Sequence, residues 1–137
     1  MITIDDITKA YGVVDYMTTW CFVDYLPMFS LFGNVLYKKD IGNYQGDSLI
    51  LFEKEGAYGY FCFGWGSCCG CDALQACHSN NDLLELAEGF SNRILWFDSA
   101  EECITFMECH DWEGDYMDTE ECEGFAATCI NLLTGNK

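Results

Sequence analysis

The sequence predicts an α+β fold: a small antiparallel sheet, including a β-hairpin near residues 48–65, packed against several helices in a single domain over residues 1–137. Three observations predict it. The runs Ser48-Leu49-Ile50-Leu51-Phe52 and Ala57–Trp65 are strand-like and flank a short turn containing Gly56, which is the pattern of a hairpin. Beyond residue 79, apolar positions recur at helical spacing behind residues that cap helices. The 137 residues are 50% hydrophobic and 16% aromatic, enough apolar material for a core in a domain of ordinary size, which excludes an intrinsically disordered chain.

In chain order, Asp5 to about Asp24 reads as one or two helices broken near Gly12, with Thr3 or Asp5 as the cap. Pro27, the only proline, bends or ends what precedes it, because it pushes residue 26 toward an extended conformation. Leu31–Tyr37 reads as a strand. Lys38–Gly46, with Asp40, Gly42, Asn43 and Gly46, reads as a loop. In the hairpin the turn is Glu53-Lys54-Glu55-Gly56, and Gly59 and Gly64 signal a bulge, a bend or close approach by another element. Asp72–Cys77 reads as a short helical turn. Ser79 or Asn81 opens a longer helix to about Asn92, with Leu83, Leu84, Leu86, Ala87 and Phe90 on its apolar face. Ile94–Phe97 reads as a short buried strand. Ser99 followed by Glu102 is a capping box for a helix to about Cys109. Asp118-Thr119-Glu120-Glu121 opens the last helix, which ends near Thr134 before Gly135.

Twenty-three acidic residues face six basic ones, for a formal net charge of −17. Phosphate contacts need Lys and Arg, so this balance excludes direct binding to nucleic acid and to an anionic membrane, and favours attraction to basic protein surfaces. No apolar run reaches the roughly 18 residues of a membrane span. The start Met1-Ile2-Thr3-Ile4-Asp5-Asp6 lacks the basic and apolar regions of a signal peptide, so the expected location is the cytoplasm, that of the host if a phage encodes the chain. In that compartment most of the ten cysteines are expected to be plain thiols that fill small gaps in the core, among them Cys103, Cys122 and Cys129.

The turn Gly64-Trp65-Gly66-Ser67-Cys68-Cys69-Gly70-Cys71-Asp72 needs separate weighing. Cys68 and Cys71 form a Cys-x-x-Cys pair, with Cys77 and His78 six and seven residues beyond Cys71, a set suited to tetrahedral zinc if a second ligand pair is near. A Cys-x-x-Cys at a helix start also suits thiol redox chemistry. Against both stands a structural role, in which the glycines make a tight strand-to-helix turn and the cysteines pack. The turn lacks the lysine of a phosphate loop.

Tyr44-Gln45-Gly46-Asp47, the pattern Gly64-x-Gly66-Ser67-Cys68-x-Gly70-Cys71-Asp72-Ala73-Leu74-Gln75, Trp96-Phe97-Asp98-Ser99-x-Glu101-Glu102 and Asp111-Trp112-Glu113-Gly114 together resemble a group of small proteins of bacteria and their phages. The resemblance spans roughly residues 44 to 134, with Cys69 standing where the group has a serine. It implies a phage-related context and no catalytic residues.

From Ile94 through Asn136 there is no Lys or Arg, while eleven acids occur: Asp98, Glu101, Glu102, Glu108, Asp111, Glu113, Asp115, Asp118, Glu120, Glu121 and Glu123. So one-sided a patch costs stability through self-repulsion. Asp111-x-Glu113-x-Asp115 has the spacing of a calcium loop but then departs from it, with Tyr116 in place of the required glycine and Cys122 in place of the bidentate Glu. The remaining readings are a solvated acidic surface and a nucleic-acid mimic, whose carboxylates stand in for phosphates. Inhibitors that phages direct against bacterial defence nucleases, anti-CRISPR and anti-restriction proteins among them, use such mimicry. His78 and His110, the only histidines, read as capping or packing residues. The sequence thus points to an acidic interaction or inhibitor protein rather than an enzyme, without cofactor or metal. Its eleven acids would meet the basic surface of a nucleic-acid-binding protein. The alternative is a small zinc-binding or thiol-redox domain centred on Cys68 and Cys71.

Overall fold

The computed structural model describes residues 2–13, 25–42, 46–65, 73–74, 76–112 and 119–135. Its elements are α1 (Ile4–Tyr11), α2 (Leu26–Phe29), β1 (Asn34–Gly42), β2 (Gly46–Lys54), β3 (Ala57–Trp65), α3 (Asn80–Arg93), β4 (Leu95–Phe97), α4 (Ala100–Cys109) and α5 (Thr119–Leu133). The fold is α+β. The strands form one antiparallel sheet in the order β1-β2-β3-β4, with α3 inserted between the last two strands.

The sheet is covered on both faces, and the sequence of β2 shows why. Ser48 through Phe52 are all buried, so the run does not alternate between apolar and polar. Neighbouring residues on a strand point to opposite faces, so a continuous apolar run requires a layer on each side. Ile50, Phe52, Phe61 and Phe63 meet Ile7 of α1, Met28 and Phe29 of α2, and Leu83, Ala87 and Phe90 of α3. Aromatic rings dominate that core: Phe61 and Phe63 lie 5.0 and 5.2 Å from Phe90, and Phe29 lies 5.5 Å from Phe63. Leu49, Leu51 and Tyr60 meet Cys103 and Met107 of α4 and Cys122, Phe125, Ala126 and Cys129 of α5.

The hairpin closes more tightly than the four-residue turn read from the sequence. Lys54 pairs with Ala57, leaving Glu55 and Gly56 as a two-residue loop. Both have positive φ, 53° and 85°, which is the mirror-image turn whose twist matches that of the strands. The β2–β3 register runs unbroken through Gly59 and Gly64, so neither marks a bulge. Gly59 does mark a close approach: a Cβ there would lie 2.8 Å from Ile94 Cγ2 and 3.0 Å from the Trp96 ring. Gly64 does not, since the nearest atom would be Asp47 Oδ1 at 3.5 Å, an ordinary contact.

Caps fall where hydroxyl and acidic residues stand. Thr3 and Asp6 form a reciprocal capping box on α1, and these hydrogen bonds, the one from the Thr3 backbone N–H foremost, hold the Asp6 carboxyl below its usual range. Ser79 caps α3 and Ser99 caps α4. The α4 box is displaced by one residue, because Glu102 Oε2 accepts from the backbone N–H of Asp98, 3.1 Å away, rather than from that of Ser99. Gly135, with φ 77°, lies just past the end of α5.

Three sequence expectations are corrected. Lys38–Gly42 is strand, not loop, and β1 begins at Asn34 rather than Leu31. β1 is an edge strand, where charged side chains are tolerated and discourage pairing with other chains. Its charges also find partners, Lys38 with Asp40 at 3.2 Å and Lys39 with Glu121 at 2.9 Å. The Ser48 hydroxyl, buried on β2, donates to Asp40 and accepts from Trp65 Nε1, tying three strands together. Leu26, expected to be extended ahead of Pro27, is the first residue of α2, and Pro27 sits in its first turn, where no backbone N–H is needed. The segment Ile94–Phe97 is only partly buried: Ile94 is enclosed, but Leu95 and Trp96 are exposed on the opposite edge strand, β4. Ala73, Leu74 and Ala76 form turns, with the Cys77 backbone N–H donating to the Leu74 carbonyl at 3.1 Å, while Asp72 and Gln75 of the expected helical turn lie outside the described residues. The helix expected beyond Gly12, the turn from Gly66 to Asp72 and the start signal at Asp118 lie outside the described residues.

Candidate functional site

The acids of the C-terminal third are carried mainly by α4 and α5, the pair that covers one face of the sheet. Each helix turns its apolar side inward: Cys103 and Met107 on α4, and Cys122, Phe125, Ala126 and Cys129 on α5. That register forces the intervening carboxylates outward. Asp98, Glu101, Glu102, Glu108, Asp111, Glu120, Glu121 and Glu123 are all exposed, and Glu113, Asp115 and Asp118 lie outside the described residues.

The exposed acids do not form one continuous row. Residues two apart on a helix point away from each other, and Glu121 and Glu123 illustrate it. Glu121 turns toward β1 and accepts from Lys39 Nζ, a hydrogen bond that raises the lysine pKa. Glu123 turns toward α4 and lines a cleft with residues of that helix. Glu102 is committed to the cap of α4, and Asp98 supplies the N–H it accepts.

The cleft between α4 and α5 has a volume of about 400 Å³. Met107, Trp112 and Ala126, all buried, form its floor. Glu108, Asp111, Glu123 and Ala127, all exposed, form its rim, and half-buried Ile130 lies between. Its aromatic end is ordered by packing. His110 closes α4, with its ring stacked 4.8 Å from Phe106 and edge-on 4.5 Å from Trp112. Trp112 Nε1 donates to the Met107 carbonyl at 3.4 Å, which occupies a carbonyl left open by the helix end. His110 is therefore a packing and capping residue, as the sequence suggests.

Among the described residues no Lys or Arg lines this cleft. Three carboxylates ring one opening, yet among the described residues no group of three His, Cys, Asp or Glu side chains is placed to hold a metal ion. Charge made this face visible in the sequence; the apolar floor was not anticipated, and its only local signal is the small pair Ala126-Ala127 on an otherwise bulky helix.

Among the described cysteines, Cys77, Cys103, Cys122 and Cys129 are buried thiols, Cys62 is half-buried and Cys109 is exposed. Burial pushes the Cys103 thiol up to about 11 and raises Cys129 further. Such thiols are poor nucleophiles and poor metal ligands at neutral pH. The Cys77 thiol donates to the Ala73 carbonyl at 3.4 Å, and His78 is exposed. Cys68 and Cys71, the centre of the zinc and redox readings, lie outside the described residues.

A second cavity, of about 540 Å³, opens on the other side of the sheet beside the hairpin turn, where Asp6, Lys54, Glu55 and Trp96 mix both charges with an aromatic ring. Among the described residues no helix is long and apolar enough to cross a membrane. Set against protein-family models, curated proteins and solved structures, the chain matches none of them.

Proposed function

We propose that this protein is an acidic binding module. Its α4–α5 face occupies the basic surface of a nucleic-acid-binding protein in place of the nucleic acid, and so inhibits that protein. The observation that carries the reading is the outward display of carboxylates by two adjacent helices that hold no Lys or Arg; two of these carboxylates, with that of Asp111 just past α4, line one cleft. The helices are held by a packed core, so the backbone positions that carry the carboxylates are fixed relative to one another. Contacts of this kind make association fast and sensitive to salt.

The test uses two variants of equal charge. One neutralises Glu101, Glu108, Glu120 and Glu123 on the proposed face. The other neutralises Glu53, Glu55, Glu85 and Glu88, away from α4 and α5. The immobilised wild-type protein should capture a nucleic-acid-binding protein at low salt, release it at high salt, and displace nucleic acid from it. The first variant should lose capture and the second should keep it. Equal losses in the two variants would reduce the effect to net charge and contradict a specific face.

A further inference from the structure

We infer that the cleft between α4 and α5 is an arginine-reading site: it takes an arginine side chain from a basic segment of the partner protein, with its aliphatic stem on the apolar floor and its guanidinium among the rim carboxylates. This rests on the proposed function and names the chemistry that the acidic face selects.

The cleft has two chemical zones, and its occupant has to match both. The floor of Met107, Trp112 and Ala126, with Ile130 beside it, is apolar and favours methylene groups over water. The rim carries Glu108 from α4 and Glu123 from α5, with Asp111 just past the end of α4. An apolar occupant would strip water from these carboxylates with no compensation. A long side chain that ends in a broad cation fits both zones. Arginine fits better than lysine because its planar guanidinium spreads five N–H donors over its edges and can serve carboxylates on both helices at once, whereas an ammonium is a compact point charge. A volume of about 400 Å³ lies within the range of sites that enclose small ligands and is ample for one such side chain.

Two labelled peptides of equal length and charge, one arginine-rich and one lysine-rich, measure the selectivity by fluorescence anisotropy. The arginine peptide is expected to bind about tenfold more tightly, the ratio that one additional charge-assisted hydrogen bond supports. Ala127→Trp then fills the cleft from its exposed rim without changing any charge; a matching thermal melt confirms that the variant is folded. It should abolish the preference for arginine while the salt-dependent attraction common to both peptides remains. Glu108→Gln with Glu123→Gln should weaken the arginine peptide more than the lysine peptide. If the wild-type protein binds both peptides equally, or if the preference survives Ala127→Trp, the arginine site is overturned while the acidic-face reading stands. If neither peptide binds at low salt, both fall.

Discussion

Gly59 shows how a single residue joins two elements. It sits on β3 opposite Trp96 of β4, and a methyl group there would press into Ile94 and the Trp96 ring. Ile94 is branched and buried, so it cannot swing aside. Gly59→Ala is expected to destabilise the protein by about 1–3 kcal/mol, measured as a lower urea midpoint, because it overpacks the junction that holds the edge strand. The cysteines separate by burial in the same way. Iodoacetamide at neutral pH should label Cys109 quickly, and Cys103, Cys122 and Cys129 only after unfolding, as read by peptide mass spectrometry. The sign of their pH effect follows from the raised folded-state values of Cys103 and Cys129. The stability tied to keeping them neutral is complete below the ordinary thiol value of 9.0 and is lost as pH rises toward and past about 11. Thermal melts should therefore fall on the alkaline side of that value. Most of these buried positions were legible in the sequence, because a cysteine beside Ile or Phe at helical spacing reads as core. Gly59 was legible as a special position, but its partner was not, since Ile94 and Trp96 reach it only through the fold.

At the level of elements, the hairpin and the helices α3, α4 and α5 were legible because their signals are local: a tight turn, a capping hydroxyl and a repeating apolar face. The edge strands were legible only in part: Ile94–Phe97 and Leu31–Tyr37 read as strands, but the second half of β1 and the exposure of β4 were not legible. β1 carries Lys38, Lys39 and Asp40, which read as a loop until Glu121 of α5 and Ser48 of β2 are brought beside them. β4 reads as a buried strand, but nothing local says that it closes an edge. The two-residue hairpin loop also permits a stabilising change. Glu55 holds a left-handed conformation, φ 53°, that asparagine tolerates better. Glu55→Asn should raise the unfolding free energy by about 0.5–1 kcal/mol without altering the urea m-value. Phe125 of α5 tests the second core. It is fully buried and stacks on Tyr37 of β1 at 5.6 Å, so Phe125→Ala should cost about 3–5 kcal/mol in the same assay.

Over the whole molecule, a net charge of −17 sets a background of self-repulsion that salt relieves. The melting temperature should rise on going from low to moderate ionic strength; a flat or falling response would mean that the acids are already balanced in the fold. This background was fully legible in the composition, as was the concentration of acids beyond residue 94. The cleft was not, because its floor and rim come from two helices whose packing is set by Leu49, Leu51 and Tyr60 beneath them. Charge in a sequence can be counted, whereas the surface it occupies depends on which helix faces which. The central claim is that binding belongs to the α4–α5 face and not to acidity in general. Backbone amide shifts recorded while an arginine-rich peptide is added at low salt test it most directly. Shifts should concentrate at Glu108, Asp111, Glu123 and Ala127 and spare the exposed acids Glu85 and Glu88 of α3. Shifts spread equally over α1, α3, α4 and α5, or none at all, would contradict it.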